Sequence, residues 1–181
     1  MSPERELTGP ETVKPRQVLV AGIGNILRGD DGFGPAVVQA LEATGRLPER
    51  TRVAELGIGG IGLVLELMEG YAALVVVDAV DRGGAPGSLY ILEPEVPDAQ
   101  SIPVLEAWGW SAESCMTLPN RALVMARAAG ALPPVVRIIG CQPGETEEFS
   151  TELSQPVQEA VPVAVETILT FLATLNGGSH G

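Results

Sequence analysis

Residues 17–41 read QVLVAGIGNILRGDDGFGPAVVQAL, and the order of residue types in this stretch decides the fold. Residues 17–22 are a short apolar run ending in glycine, which predicts a buried first strand. Val37, Val38 and Leu41 then recur at helical spacing. Pro35 suits the first turn of that helix, where its missing N–H would be unpaired in any case. Strand, glycine turn and helix are the opening of a layered α/β fold. Between strand and helix lie two adjacent carboxylates, Asp30 and Asp31, inside the core stretch GIGNILRGDDGFG. A phosphate-binding turn opens this way, yet two carboxylates repel phosphate.

Outward from this stretch, strands and helices continue to alternate. Residues 52–56 predict a second strand, followed by the glycine-rich turn GIGGIG. Leu63, Leu67 and Met68 mark a helix closed by Gly70. The β-branched run ALVVVDA over 73–79 predicts a third strand, with Asp78 near its end. Residues 88–92 predict a fourth strand after the turn residues GGAPG. From 93 to 117 the periodicity dissolves into a long segment that holds both tryptophans, Trp108 and Trp110. Loops of this length in a compact domain are uncommon and often functional. A helix over 118–130, a strand over 135–140 and a closing helix over 156–175 complete the pattern. The expected architecture is a single-domain three-layer sandwich, with a twisted, mostly parallel sheet and helices on both faces. It occupies residues 17–175, between a flexible lead-in over 1–16 and a flexible tail over 176–181.

Composition narrows the function. The chain has 181 residues, 45% of them hydrophobic and 4% aromatic, which is enough for one full core. Its net charge is −12, from 23 acidic against 11 basic residues, and the basic ones are scattered. Nucleic acid and anionic membrane are therefore not expected partners. Two cysteines, Cys115 and Cys141, make no disulfide framework, and each alone reads as a small buried filler. The polar start MSPEREL lacks the apolar core of a signal peptide, and no apolar run approaches the ~20 residues of a membrane span. The expected location is cytoplasmic.

The sole histidine, His180, sits in a Gly-Ser tail, so catalysis built on an imidazole held between a nucleophile and a carboxylate is not expected. A dinucleotide fingerprint is poorly met. Gly22 and Gly24 supply its first two glycines, Leu27 takes the third place, and the helix starts only after Asp31. Glu55, placed to bind a ribose, is the one feature that favours a nucleotide-binding domain.

In an open α/β sheet, ligands gather outside the carboxyl ends of the strands where strand order reverses. Asp30 and Asp31 follow the first strand and Asp78 ends the third, so all three are expected on that rim. Converging carboxylates need a positive partner, either a metal cation or a cationic group of a substrate. Each also has a plainer reading: Asp30 and Asp31 as charges favoured before a helix, Asp78 as the cap of a loop.

The stretch VLVAGIGNILRGDDGFGPAVVQAL, with its pattern GxGNxLxxDDGxG, resembles the opening of the maturation endopeptidases of nickel-iron hydrogenases. VVVDAV, APGSLYIL, VRIIGCQP and SQPVQEAV follow in matching order, so the resemblance spans about residues 17–175. It implies a twisted sheet between helices and removal of a C-terminal extension from a hydrogenase large-subunit precursor. Nickel already inserted in the precursor would be the recognition element, and zinc or another divalent metal is an alternative. The resemblance assigns metal ligation to Asp31, Asp78 and the position of a family histidine. In this chain that position falls within SCMTLPNRALVMA, on Cys115, or on Ser114 with one step of register error. A second departure is Ile58, where the family often carries threonine. Asp31 and Asp78 would also serve catalysis, while Gly24, Asn25 and Asp30 are expected to bind substrate. A diverged paralogue that binds a metallocentre or hydrogenase subunit without cutting it is the first alternative function, and a nucleotide-binding domain the second.

Overall fold

The computed structural model describes residues 17–58, 60–98, 118–144, 146 and 149–177. Five strands form one sheet: β1 (Val18–Ile23), β2 (Thr51–Gly57), β3 (Ala73–Ala79), β4 (Leu89–Leu92) and β5 (Val135–Cys141). Among the described residues, four helices flank it: α1 (Phe33–Ala43), α2 (Gly60–Leu67), α3 (Leu118–Ala128) and α4 (Gln155–Gly177), and a 3-10 turn over Gly29–Gly32 leads into α1. The strand order is β2-β1-β3-β5-β4. Only β4 runs antiparallel, on the outer edge of β5. The mostly parallel three-layer sandwich is therefore present.

Alternation along the central strands sorts side chains between two cores, because successive residues of a strand face opposite ways. Val18, Val20, Val75 and Val77 face α1 and α4, where they meet Phe33, Val37, Leu41, Ile168 and Leu172. Leu19, Ala21, Leu74 and Val76 face α2 and α3, against Leu63, Leu67, Leu123 and Ala126. Both faces of β1 and β3 are buried, which is why these strands read as continuous apolar runs rather than alternating ones.

Two boundaries differ from the sequence expectation in ways that bear on the fold. The glycine-rich turn after β2 ends early, since α2 already begins at Gly60. Burial of Leu63, Val64 and Leu67 outweighs the low helix propensity of its glycines. Helix α4 runs to Gly177, two residues into the expected tail. It is also long and apolar enough by length and composition to cross a membrane, with a mean hydropathy of 1.3 over its best window. No such segment was expected. Its buried stripe of Val157, Ala160, Ala164, Ile168 and Leu172 is part of the core under β1 and β3.

The order of strands decides where a site can form. The chain leaves β1 for β2 on one side and later returns to β3 on the other, so the strand order reverses at β1. The carboxyl ends of β1 and β3 thus border a crevice, and Asp31 and Asp78 stand on its two sides.

Candidate active site: two carboxylates at the switch point

The loop after β1 is shaped by close packing. Gly24 has φ of +138°, and a Cβ there would meet the Asp31 carbonyl oxygen at 1.9 Å, so only glycine fits. Gly34 opens α1 against the sheet, where a Cβ would stand 2.2 Å from the Ile23 oxygen and 2.4 Å from the Val77 oxygen. The close approach that a dinucleotide fingerprint assigns to its third glycine is thus made by Gly34. It draws the start of α1 down onto β1 and β3 together. Asp31 is carried with it towards the end of β3.

Adjacent residues in a 3-10 turn project about a third of a turn apart, and Asp30 and Asp31 accordingly part company. Asp30 is 1% exposed. Its carboxylate accepts hydrogen bonds from the Gly144 N–H at 2.7 Å, the Ser154 N–H at 2.6 Å and the Ser154 hydroxyl at 2.8 Å. Direct contact with substrate, as expected for Asp30, does not suit a carboxylate so enclosed. Its task is to hold the loop to the segments before α4.

Asp31 is half-buried, and its Oδ2 accepts the Asn25 N–H at 2.9 Å. The Asn25 side-chain oxygen in turn accepts the Leu27 N–H at 3.0 Å, closing a small turn. The loop is also stitched to Ser150, with Gly29 N–H donating to its oxygen at 2.8 Å and its own N–H donating to Leu27 at 3.1 Å. These contacts leave Ile26, Leu27 and Phe149 as exposed apolar side chains around the crevice, Phe149 at 82%.

Asp78 completes the pair from β3. It is 5% exposed, and its pKa is pushed up to about 8, first by burial and then by the negative charge of Asp31. A hydrogen bond from the Ala79 backbone works in the opposite direction. Near neutral pH this carboxyl therefore holds a proton unless a cation takes the proton's place. Two carboxylates of unlike exposure, close enough to feel each other, are chemically suited to a divalent cation or to proton transfer. Among the described residues no third His, Cys, Asp or Glu joins them in a group that could hold a metal. Cys115, Ser114, Trp108, Trp110 and His180 lie outside the described residues.

Other residues fall as follows. Cys141 is fully buried, and its thiol is raised to about 11 by burial and the nearby charge of Asp30, so it is an inert filler. Glu55, two residues before the end of β2, accepts a hydrogen bond from the Gln39 side chain at 3.2 Å. Gln142, which the sequence reading passed over, is 5% exposed and holds together the loop that follows Asp78. Its Oε1 accepts the N–H groups of Arg82 at 2.8 Å and Gly84 at 3.1 Å, and its Nε2 donates to Asp81 at 2.8 Å. The signal available in sequence was a polar side chain directly after the buried end of a strand.

Comparison with known proteins agrees with this architecture. The family model described as hydrogenase maturation protease matches residues 35–171. The hydrogenase expression/formation protein HoxM of Azotobacter vinelandii is 36% identical over 157 residues, covering 86% of this chain and 72% of its own. A crystal structure of a hydrogenase 2 maturation peptidase from a Thaumarchaeota archaeon is 34% identical, with a TM-score of 0.64 over 87% of this chain and 98% of its own. The hydrogenase maturating endopeptidase HybD of E. coli is 27% identical, with a TM-score of 0.68 over 87% and 93% of the two chains. The chain belongs to the hydrogenase maturation protease family.

Proposed function

We propose that this protein is an endopeptidase that removes a C-terminal extension from a hydrogenase large-subunit precursor, and that nickel within the precursor is what it recognises. One observation carries the reading. Asp78 is buried beside Asp31 with its carboxyl held protonated to about pH 8, an arrangement that a divalent cation relieves. Asp31 and Asp78 would grasp the precursor's nickel together, and Cys115 is the third ligand proposed from its position in the sequence. A thiolate there would be softer and more anionic than an imidazole, and it must lose a proton to bind.

Nickel supplies Lewis acidity towards the scissile carbonyl. Asp78 releases its proton as the cation arrives and thereafter contributes a fixed negative charge. Asp31, the more exposed of the two, would take a proton from water as the water's oxygen adds to the carbonyl. Asp31 then returns that proton to the leaving nitrogen as the peptide bond breaks, giving a new carboxylate and an amine. Gly24 and Asn25 shape the loop that faces the substrate, and Ile26, Leu27 and Phe149 offer apolar contact to the precursor chain. With its excess of 12 negative charges the protein favours a basic extension over an acidic one. The cytoplasm, where the precursor would be assembled, is the proposed location.

Cysteine in place of the family histidine supports a second reading, a paralogue that binds the precursor without cutting it. Incubation with nickel-loaded precursor, followed by intact mass, separates the two. Loss of a C-terminal fragment with wild type supports the protease. No cleavage by wild type together with cleavage by Cys115→His supports the paralogue.

A further inference from the structure

We propose that Gln142, Pro143 and Gly144 form a bracket that sets the spacing between the loop carrying Asp31 and the loop following Asp78, with Gln142 and Asp30 as its positioning residues. The inference rests on the reading of Asp31 and Asp78 as the reactive pair.

The contacts run in one line across the crevice. On one side, Gln142 gathers the loop after β3 through Arg82 N–H, Gly84 N–H and the Asp81 carboxylate. Backbone pairing extends this hold, since Gly87 N–H donates to the Gln142 oxygen at 2.9 Å and Gln142 N–H donates to Ser88 at 2.8 Å. On the other side, only two residues further along, Gly144 N–H donates to the Asp30 carboxylate at 2.7 Å. Asp30 is the chain neighbour of Asp31. Pro143 between the two anchors has a fixed φ and no N–H to divert the backbone. Both anchoring side chains are buried, Asp30 at 1% and Gln142 at 5%, so water does not compete for their bonds.

Such a bracket has a physical purpose. Asp31 and Asp78 have the same charge, and with both ionised they push the loop after β1 away from the end of β3. The remedy in the sheet itself is limited, because β1 and β3 pair only as far as Gly22 and Val77, one residue before Asp78. Beyond that point β3 stays paired to β5 through Asp78 and Ala79, and the three residues after β5 tie that end of the sheet to the loop after β1. A ligand pair with its separation set in advance binds a cation without first having to order two loops.

Amide hydrogen exchange on the full-length protein, with no metal or precursor added, tests the bracket. In Gln142→Ala, exchange should quicken at residues 82–84, where the bonds are lost, and also across the crevice at residues 25–31. In Asp30→Asn the effect should cross the other way. Each far-side change should be about tenfold or more, the size of one lost buried hydrogen bond. Amides of β3 serve as the internal reference for general loosening. Ser154→Ala, which removes only one of the three described bonds to Asp30, gives the same crossing effect at smaller size should Asp30→Asn not fold. Quickening confined to the substituted side overturns the proposal. Titration with nickel ion alone adds a readout that loosening elsewhere would not move: affinity should fall about tenfold in Gln142→Ala, and unchanged affinity contradicts the bracket. If wild type binds no nickel, the proposed function fails there, while the exchange result still decides the bracket.

Discussion

Asp30 and Asp78 are both buried carboxylates at the same end of the sheet, yet their surroundings differ. Asp30 is enclosed by three donors from Gly144 and Ser154. Asp78 lies beside another carboxylate, with burial and Asp31 both pushing its pKa up to about 8. One charge is satisfied by the fold and does structural work. The other has a hydrogen bond from the Ala79 backbone but a like-charged neighbour, which is the condition expected of a residue reserved for a ligand. Substitutions should therefore act in opposite senses at the two positions.

The largest effect on stability is expected at Asp30. Asp30→Ala leaves three donors facing an apolar methyl group and should lower unfolding stability by about 3 kcal/mol or more, since each hydrogen bond to a charged group contributes ~1.5–3 kcal/mol. Urea unfolding measures it, and a loss below ~1 kcal/mol would erase the contrast between the two carboxylates.

At Asp78 the sign reverses. The folded protein keeps the proton more tightly than the unfolded chain, whose carboxyl titrates near 3.8. Between about pH 4 and about pH 8 the folded state thus binds more protons, and stability falls as pH rises through that window. Asp78→Asn should remove this slope, so the metal-free variant melts higher than wild type at pH 8 while the two converge at pH 4. Melting curves at both pH values check the sign, and a variant less stable than wild type at pH 8 would show that Asp78 is satisfied in the way Asp30 is.

The smallest effect is expected on the rim. Phe149 is 82% exposed, so Phe149→Ser should change stability by no more than ~0.5 kcal/mol. It should instead raise KM for the precursor with kcat little changed, because it removes contact made equally before and during the reaction.

Much of this molecule is legible in its sequence. The strand over 73–79 ends where it was expected, because a β-branched run has few other uses. The switch point follows from the order of elements, and it brings Asp31 and Asp78 to one crevice. The separate fates of Asp30 and Asp31 are not legible, for two reasons. A 3-10 turn splits neighbouring side chains, and the partners of Asp30 lie 114 and 124 positions along the chain. Gln142 was missed for a related reason, since its partners are some 60 positions away and no local pattern announces them. Gly34 was visible as a glycine, but its closeness to Ile23 and Val77 appears only when three elements meet. The early start of α2 was hidden by glycines that normally signal a turn.

The most direct test of the central claim is cleavage of the large-subunit precursor, prepared with and without nickel and followed by intact mass. The account predicts loss of the C-terminal extension from the nickel-loaded precursor alone, and none with Asp31→Asn or with Asp78→Asn. Cleavage of the nickel-free precursor, or cleavage by Asp78→Asn at the wild-type rate, would contradict it.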